Sequence, residues 1–592
     1  MGPSTGQEPP IKAIERAHIW FALILLVAGV FVLRLFFLQV VRYDYYHKAA
    51  LSDQLKQYQI PATRGIIEAY QGGTVVPFVL NQKLYTLYAD PTLIKDADKT
   101  ADMLAQILGG SADQYHSQLT TKNTRYVVLA KKVSQGSEQK ILQQKNPGIG
   151  AQEQDYRTYP DGSLASQTLG FVNNDGTGVY GLEQALNSTL AGTPGELKAV
   201  TDISGVPLAA NSGNILLAPQ NGSNVVLTLD LGMQQQMEQI LQTEIGKIKA
   251  KQVSAVIMDP NTGAIKAIAN NPTFDPTNYQ DVSDPSLFQN AAVTNPIEVG
   301  SIMKTLTTAA ALDQGVIQPN TTYYDPASWT VDGFKITNIE EDGGAGTKSI
   351  AQLLNLSLNT GATWELMQMG GGQIDQKARD AWHDYMVDHF QLGKPTNIEQ
   401  GYESPGYIPP AKDNGAGIDL TYANTAFGQA MTATTVQMAS ALSSVLNGGT
   451  YYQPRLVDQT IAANGATTIN KPFIVKKNVV GSQISTDMIP LMEYVVQQHG
   501  LNASYLHFPS NYIVGGKTGT AQIAKPGGTY YDNEFNGTYL GFVGGDHVQY
   551  VIAVFTIQPK APGYAGTAAA QPIFADLAHM LINNFGVTPK SH

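Results

Sequence analysis

Three short motifs follow one another in the second half of this 592-residue chain: Ser301-Ile302-Met303-Lys304, Ser357-Leu358-Asn359 and Lys517-Thr518-Gly519-Thr520. Together their residue types are those of a serine acyl-transfer site. A serine hydroxyl is a poor nucleophile unless a base lies within hydrogen-bond reach. If a helix opens at Ser301, Lys304 sits at i+3 on the same face, about one turn on, and its amine reaches the hydroxyl. Lysine is a base only when neutral. Burial disfavours the ammonium, and a second cation across the cleft, Lys517, pushes the same way. Ser357 would pass a proton between the lysine and a leaving group, and Asn359 would hold a substrate peptide group. Lys517 offers a fixed positive charge to a substrate carboxylate, which the Thr518 and Thr520 hydroxyls can also bond.

Each motif alone is weak. Ser137 and Lys140 repeat the first spacing in a polar stretch that reads as a solvated helix face, and Ser212 with Asn214 repeats the second. Ser357-Leu358-Asn359 in isolation reads as a capped helix end, and Lys517-Thr518-Gly519 as a hairpin strand with a bulge. Order and setting separate the three from such matches. Gly300 permits a tight approach into a helix, and Ile302, Met303, Leu306, Ala309, Ala310 and Leu312 have the spacing of a buried one. Its N-terminus would present backbone N–H groups and a positive dipole where an oxyanion forms. Leu353 to Gly361 is a short apolar segment ending at a Thr-Gly turn. Tyr512 to Ala524 reads as a strand whose glycines let a ligand backbone pair along its edge.

The surrounding sequence resembles the class B penicillin-binding proteins, the monofunctional peptidoglycan transpeptidases. Met258-Asp259-Pro260-Asn261-Thr262-Gly263 is similar to the first hairpin of their catalytic domain, as is Asn271-Pro272-Thr273-Phe274-Asp275-Pro276 after it. Phe427-Gly428-Gln429-Ala430, then Thr435, Gln437, Met438 and Ala439, then Asn447-Gly448-Gly449 look like the segment between the second and third motifs. Upstream, Arg64-Gly65, Arg157-x-Tyr159-Pro160 and Gly178-x-x-Gly181-x-Glu183 are similar to the pedestal. The resemblance runs from roughly residue 17 to 585. Departures are Glu298-Val299-Gly300, where the family usually has Glu-Pro-Gly, Ala430 in place of a glycine, and Glu68-Ala69-Tyr70 in the first pedestal motif. None removes a group with a chemical role.

The resemblance implies an α+β fold: an antiparallel sheet flanked by helices with a helical subdomain, preceded by a β-rich, dimerisation-type pedestal. The expected division is a cytoplasmic tail at 1–16, a transmembrane signal anchor at 17–38, the pedestal at 39–235 and the transpeptidase domain at 236–592. Residues 17–33 carry no charge and the apolar run resumes after Arg34, enough for a single bilayer span. No small-x-small cleavage site follows it. Lys12 and Arg16 on one side against Arg34 and Arg42 on the other give only a weak positive-inside bias, and the extracytoplasmic substrate decides for a cytoplasmic N-terminus.

The chain has no cysteine, so it can form neither a disulfide nor a thiolate metal site. Net charge is -11, with 14% charged residues, which gives no basic stripe for nucleic acid. The ten histidines form no metal-binding spacing, and no cofactor is implied. By resemblance the function is D,D-transpeptidation of stem peptides on the lipid-linked precursor polymer through a Ser301 acyl-enzyme, inhibited by β-lactams. The backbone N–H groups of Ser301 and Thr520 are then the oxyanion hole. A D,D-carboxypeptidase, a β-lactam sensor or β-lactamase, and a non-enzymatic division scaffold are the alternatives. The implied partners are a SEDS-family glycan polymerase and other divisome or elongasome membrane proteins.

Overall fold

The strand Gln252–Met258 has six consecutive buried residues, as expected of a strand covered on both faces. It lies in a five-stranded antiparallel sheet of order Ile265–Asn271, Gln252–Met258, Val548–Ile557, Tyr530–Gly544, Ile513–Ala524. Side chains alternate across it. Val253, Ala255 and Ile257 pack with Met237 and Leu241 of the helix Leu231–Ile248 and with Phe574 and Leu577 of the helix Gln571–Asn584. Val256 and Met258 pack on the opposite side with Met303, Leu306, Leu442 and Val445. The sheet thus separates two apolar cores, and the helix Met303–Asp313 belongs to the second.

This computed structural model describes residues 11–46, 55–200, 215–338, 344–412, 415–525 and 527–591. Ser212 and Asn214, and residues 1–10 of the expected tail, lie outside the described residues. The chain divides into two compact units, Met1–Ala62 with Thr193–Asn221, and Thr63–Gly192 with Gly222–His592. In the first, the helix Ile11–Phe36 and the π-helical turn Phe37–Val41 that continues it carry the apolar span Ala17–Val41, of mean hydropathy 2.8, long and apolar enough to cross a membrane. The same unit has a three-stranded sheet with Gly195–Val200 between Leu55–Ile60 and Ile215–Leu217.

The second unit contains the transpeptidase-type sheet, and between its strands the helices Asn359–Gly370, Gln376–Asp384 and Ile418–Thr425. It also contains a seven-stranded sheet in which Asn224–Asp230 runs parallel to Ile67–Gln71 and antiparallel to Val457–Ile461. Position 235, the expected domain boundary, falls inside the helix Leu231–Ile248. The fold is α+β, with the β-rich pedestal the sequence leads one to expect.

The pedestal motifs meet at one buried carboxylate. Glu183 has 0% side-chain exposure and accepts from Arg64 Nε at 2.8 Å and from Arg157 Nε at 2.6 Å. Arg157 Nη1 donates to the Gly65 carbonyl at 2.7 Å, and Arg64 Nη1 to Asn187 Oδ1 at 2.9 Å. A β-carbon on Gly178 would stand 1.9 Å from the Glu183 carbonyl oxygen, so this residue has to be glycine. Removing the acid would leave two guanidinium groups facing each other with little solvent. Glu183→Ala should therefore cost about 3–5 kcal/mol, read as a lower midpoint in urea unfolding. An unchanged midpoint would mean that the arginines find other partners.

Candidate active site

Every residue from Met303 to Ala311 is at 0% exposure, so the polar side chains among them must be satisfied inside the protein. Ser301 precedes this helix in the 3₁₀ turn Gly300–Ile302 and is half-buried, open to the cleft. Gly300 has φ +61°, the left-handed region, and a β-carbon there would lie 2.7 Å from the Thr520 carbonyl oxygen. Its N–H donates to the Gly428 carbonyl at 2.9 Å. Thr538 Oγ1 donates to the Val299 carbonyl at 2.7 Å. The first motif is thereby seated against the strand Ile513–Ala524 and its neighbour Tyr530–Gly544.

Lys304 Nζ donates to Ser301 Oγ at 3.0 Å, to Ser357 Oγ at 3.2 Å and to Asn359 Oδ1 at 2.8 Å, and it also contacts the Ser357 carbonyl. The amine is thus shared between both motif serines. Ser357 has φ +56°, an uncommon conformation for a non-glycine residue that costs on the order of 1–2 kcal/mol. That strain turns both its carbonyl and its hydroxyl toward the lysine. Asn359 opens the next helix, and one of its amide hydrogens goes to the Thr337 carbonyl at 3.1 Å. Its carbonyl end is committed to Lys304, leaving one amide hydrogen to face the cleft.

Lys517, 1% exposed, lies on Ile513–Ala524, where its Nζ donates to the Thr518 carbonyl at 3.0 Å. Thr520 Oγ1 accepts from the Gly566 N–H at 3.0 Å. That hydroxyl therefore has a structural partner in addition to the role expected for it. Ser301, Ser357, Asn359, Thr518 and Thr520 line one cavity of about 630 Å³. The expected site residues converge, and a serine, a buried amine, a second serine and a strand edge face one space. That arrangement can take a proton from Ser301 and return it to a leaving group.

Two residues of the neighbourhood, His499 and Glu365, were not evident in the sequence, and a third, Glu298, was visible only as a motif position without a role. His499 lines the cavity, where its Nδ1 meets Gln571 Nε2 at 2.8 Å; burial, and then Lys517, push its pKa down to about 4, so it is neutral at neutral pH. Glu365 is fully buried and accepts from Thr308 Oγ1 at 2.9 and 3.1 Å; burial raises it to about 8. Glu298 accepts from the Ala430 N–H at 2.8 Å and from the Tyr530 hydroxyl at 2.9 Å, and burial raises it too. A lone acid or histidine at no recognisable spacing gives no signal until the fold brings it to the cleft.

Residues 253–579 match the family described as penicillin binding protein transpeptidase domain, and residues 59–227 the penicillin-binding protein dimerisation domain. The chain belongs to the class B penicillin-binding proteins. It is 30% identical over 523 residues to stage V sporulation protein D of Bacillus subtilis, covering 87% of this chain and 78% of that one. It is 25% identical over 598 residues to the peptidoglycan D,D-transpeptidase FtsI of Escherichia coli, covering 99% and 95%. Among solved structures it is similar to penicillin binding protein 3 of Mycobacterium tuberculosis complexed with aztreonam, with TM-score 0.67 and 25% identity over 90% of this chain and 98% of that one.

Within this class B protein the departures from the family pattern have local explanations. Ala430 stands at φ +56°, where a glycine would be unstrained, and its N–H is held by Glu298. Val299 keeps the carbonyl that Thr538 grips, which a proline at that position would also supply. Gly300 has no such latitude. Gly300→Ala would force the 301 turn away from Thr520, and a displacement of about 1 Å at a reacting group can cost on the order of 100-fold. Acylation by a fluorescent penicillin should fall by about that factor while the circular dichroism spectrum is retained. Unimpaired acylation would show that the turn tolerates the added carbon.

Proposed function

We propose that the protein is a peptidoglycan D,D-transpeptidase with Ser301 as its nucleophile. The observation that carries this reading is the buried Lys304 amine within hydrogen-bond distance of both Ser301 Oγ and Ser357 Oγ. Lys304 takes the Ser301 proton as Oγ attacks the carbonyl of the penultimate D-alanine of a donor stem peptide. The N–H groups of Ser301 and Thr520 receive the developing negative oxygen. Through Ser357 the proton reaches the leaving D-alanine amine, the C–N bond breaks, and an ester on Ser301 remains. An amine of a second stem then attacks the ester, its proton returning by the same path, and the cross-link forms as Ser301 is restored. Asn359 supports the donor peptide with its remaining amide hydrogen. Lys517, Thr518, Gly519 and Thr520 bind the terminal carboxylate and pair with the backbone.

A β-lactam carries a similar strained amide and would stop at the ester stage. Ser301→Ala should therefore show no mass adduct after penicillin treatment, and a persisting adduct would move the nucleophile elsewhere. Arginine keeps the charge but cannot give up its proton, so Lys304→Arg should lose acylation with the melting temperature retained. Near-normal acylation in that variant would require another base. Proline at position 520 removes one N–H and should slow acylation by roughly 100- to 1000-fold. Thr520→Ala keeps that N–H and forfeits the hydroxyl's bonds to Gly566 and to the substrate carboxylate, so it should be milder; equal loss in both folded variants would count against the oxyanion assignment.

The same reading divides the chain into the tail 1–16, anchor 17–38, pedestal 39–235 and catalytic domain 236–592, with the N-terminus cytoplasmic and the catalytic domain outside. A transpeptidase working on growing strands needs a polymerase beside it, and a SEDS-family polymerase is the partner this reading assigns to the anchor and pedestal. An unrelated transmembrane helix in place of residues 17–38 should preserve acylation but abolish co-purification with that polymerase. Recovery of the complex with the swapped helix would confine recognition to the pedestal. Comparing cross-linked dimer with released D-alanine separates transpeptidase from carboxypeptidase, and failure to acylate would favour a scaffold.

A further inference from the structure

Asn359 links Lys304 to the donor peptide in the mechanism above, so whatever fixes Asn359 bears on the reaction. Its side-chain oxygen accepts from Lys304 Nζ at 2.8 Å, and one amide hydrogen goes to the Thr337 carbonyl at 3.1 Å. It is also the first residue of the helix Asn359–Gly370, whose opening N–H groups need acceptors from outside the helix. A side-chain oxygen at the preceding position commonly supplies one, but Leu358 stands there and has none. The cap comes instead from a remote segment. Asn338 Oδ1 accepts from the Thr360 N–H at 3.0 Å, and Asn338 Nδ2 donates to Thr360 Oγ1 at 2.6 Å. We propose that Asn338 is a positioning residue of the acyl-transfer reaction: by capping the helix that Asn359 opens, it fixes the carboxamide that holds Lys304 and meets the donor peptide. This rests on the transpeptidase reading and deepens it.

The cap is itself held in place. Asn338 follows the strand Phe334–Thr337, which pairs with Ser328–Val331 as an antiparallel hairpin. From the other strand of that hairpin, Trp329 Nε1 donates to the Thr360 carbonyl at 3.0 Å. Thr337, Asn338 and Trp329 thus hold two consecutive residues, the Asn359 side chain and the Thr360 backbone. Asp325, at 0% exposure, accepts from the Thr360 hydroxyl at 2.7 Å and from the Ala327 N–H at 2.7 Å. The threonine hydroxyl has one hydrogen, and Asp325 takes it, which leaves the oxygen to accept from Asn338 Nδ2. The grip therefore has a direction. Turning the Asn338 carboxamide over would set its amide hydrogens against the Thr360 N–H, donor against donor. Fraying of the first helical turn, which would draw Asn359 away from Lys304, must first break these bonds.

The experiment is a double-mutant cycle on the second-order rate of penicillin acylation, measured in the full-length protein. Asn338→Ala should slow acylation by about tenfold when Asn359 is present. It should slow it by less than about twofold when Asn359 is already alanine, because the carboxamide it positions is gone. A residue that only supports the fold would slow both backgrounds by the same factor. Thr360→Val, which removes the hydroxyl between Asn338 and Asp325 at nearly constant volume, should show the same non-additive pattern with a smaller loss. Thr360→Ser keeps the hydroxyl and should restore the wild-type rate. This pair decides the matter if Asn338→Ala does not fold. Equal losses with and without Asn359, or acylation by Asn338→Ala at the wild-type rate, would make Asn338 a structural cap alone and overturn the proposal. No adduct on wild-type Ser301 would instead sink the transpeptidase reading, and this inference with it.

Discussion

An amine at zero exposure is the constraint on which the rest of the catalytic unit depends. Burying an ammonium is costly, and burying a neutral amine still demands partners for its hydrogens. Lys304 finds them in Ser301, Ser357 and Asn359, which come from two separate segments. Bringing those segments and the strand Ile513–Ala524 together requires backbones to approach more closely than side chains allow. A β-carbon on Gly428 would fall 2.0 Å from the Gly300 carbonyl oxygen, one on Gly566 2.4 Å from that of Gly519, and one on Gly519 2.7 Å from that of Val299. Four glycines far apart in sequence therefore form one junction free of β-carbons, with the Gly300–Ile302 turn at its centre.

Much of this was legible because the chemistry sits in motifs with internal spacing. Ser301 and Lys304 are related by a helical turn, and Lys517 to Thr520 by a strand, so local geometry carries the roles proposed for them. The Asp259 turn is similar: its carboxylate accepts from the Asn261 N–H at 2.8 Å and the Thr262 hydroxyl at 2.7 Å, while Gly263 takes φ +70°. Arg64, Arg157, Gly178 and Glu183 were each visible as motif residues. Their convergence on one buried carboxylate was not, because it spans 119 residues between Arg64 and Glu183.

Other features were hidden for a physical reason. The inward positions of a helix buried all round carry no amphipathic signal, so Thr308 and Glu365 read as ordinary helix residues. His499 sits near the end of a 19-residue helix whose pattern speaks only of packing. The pairing of Asn224–Asp230 with Ile67–Gln71 on one side and Val457–Ile461 on the other likewise depends on contacts remote in sequence. Residues 63–192 and 222–592 form one compact unit.

The polar residues of the Met303–Asp313 helix show how the stretch that begins at Ser301 is held in register. Lys304 is satisfied by the 357–359 segment, Thr307 by the Ala426 carbonyl and the Trp382 indole, and Thr308 by Glu365. These partners come from the segment between Ser357 and Glu365, from the helix Gln376–Asp384 and from Ala426 after the helix Ile418–Thr425, and none can be exchanged for water at zero exposure. Rotating or sliding the helix by one residue would orphan all of these groups at once, each at a cost of about 1–3 kcal/mol. The helix therefore has one energetically accessible placement, whereas Ser301, one turn earlier and only half-buried, keeps the freedom to meet a substrate carbonyl. Rigid seating of Lys304 and local openness at Ser301 are what the proposed acyl transfer requires, and here both follow from where burial ends along a single stretch of chain.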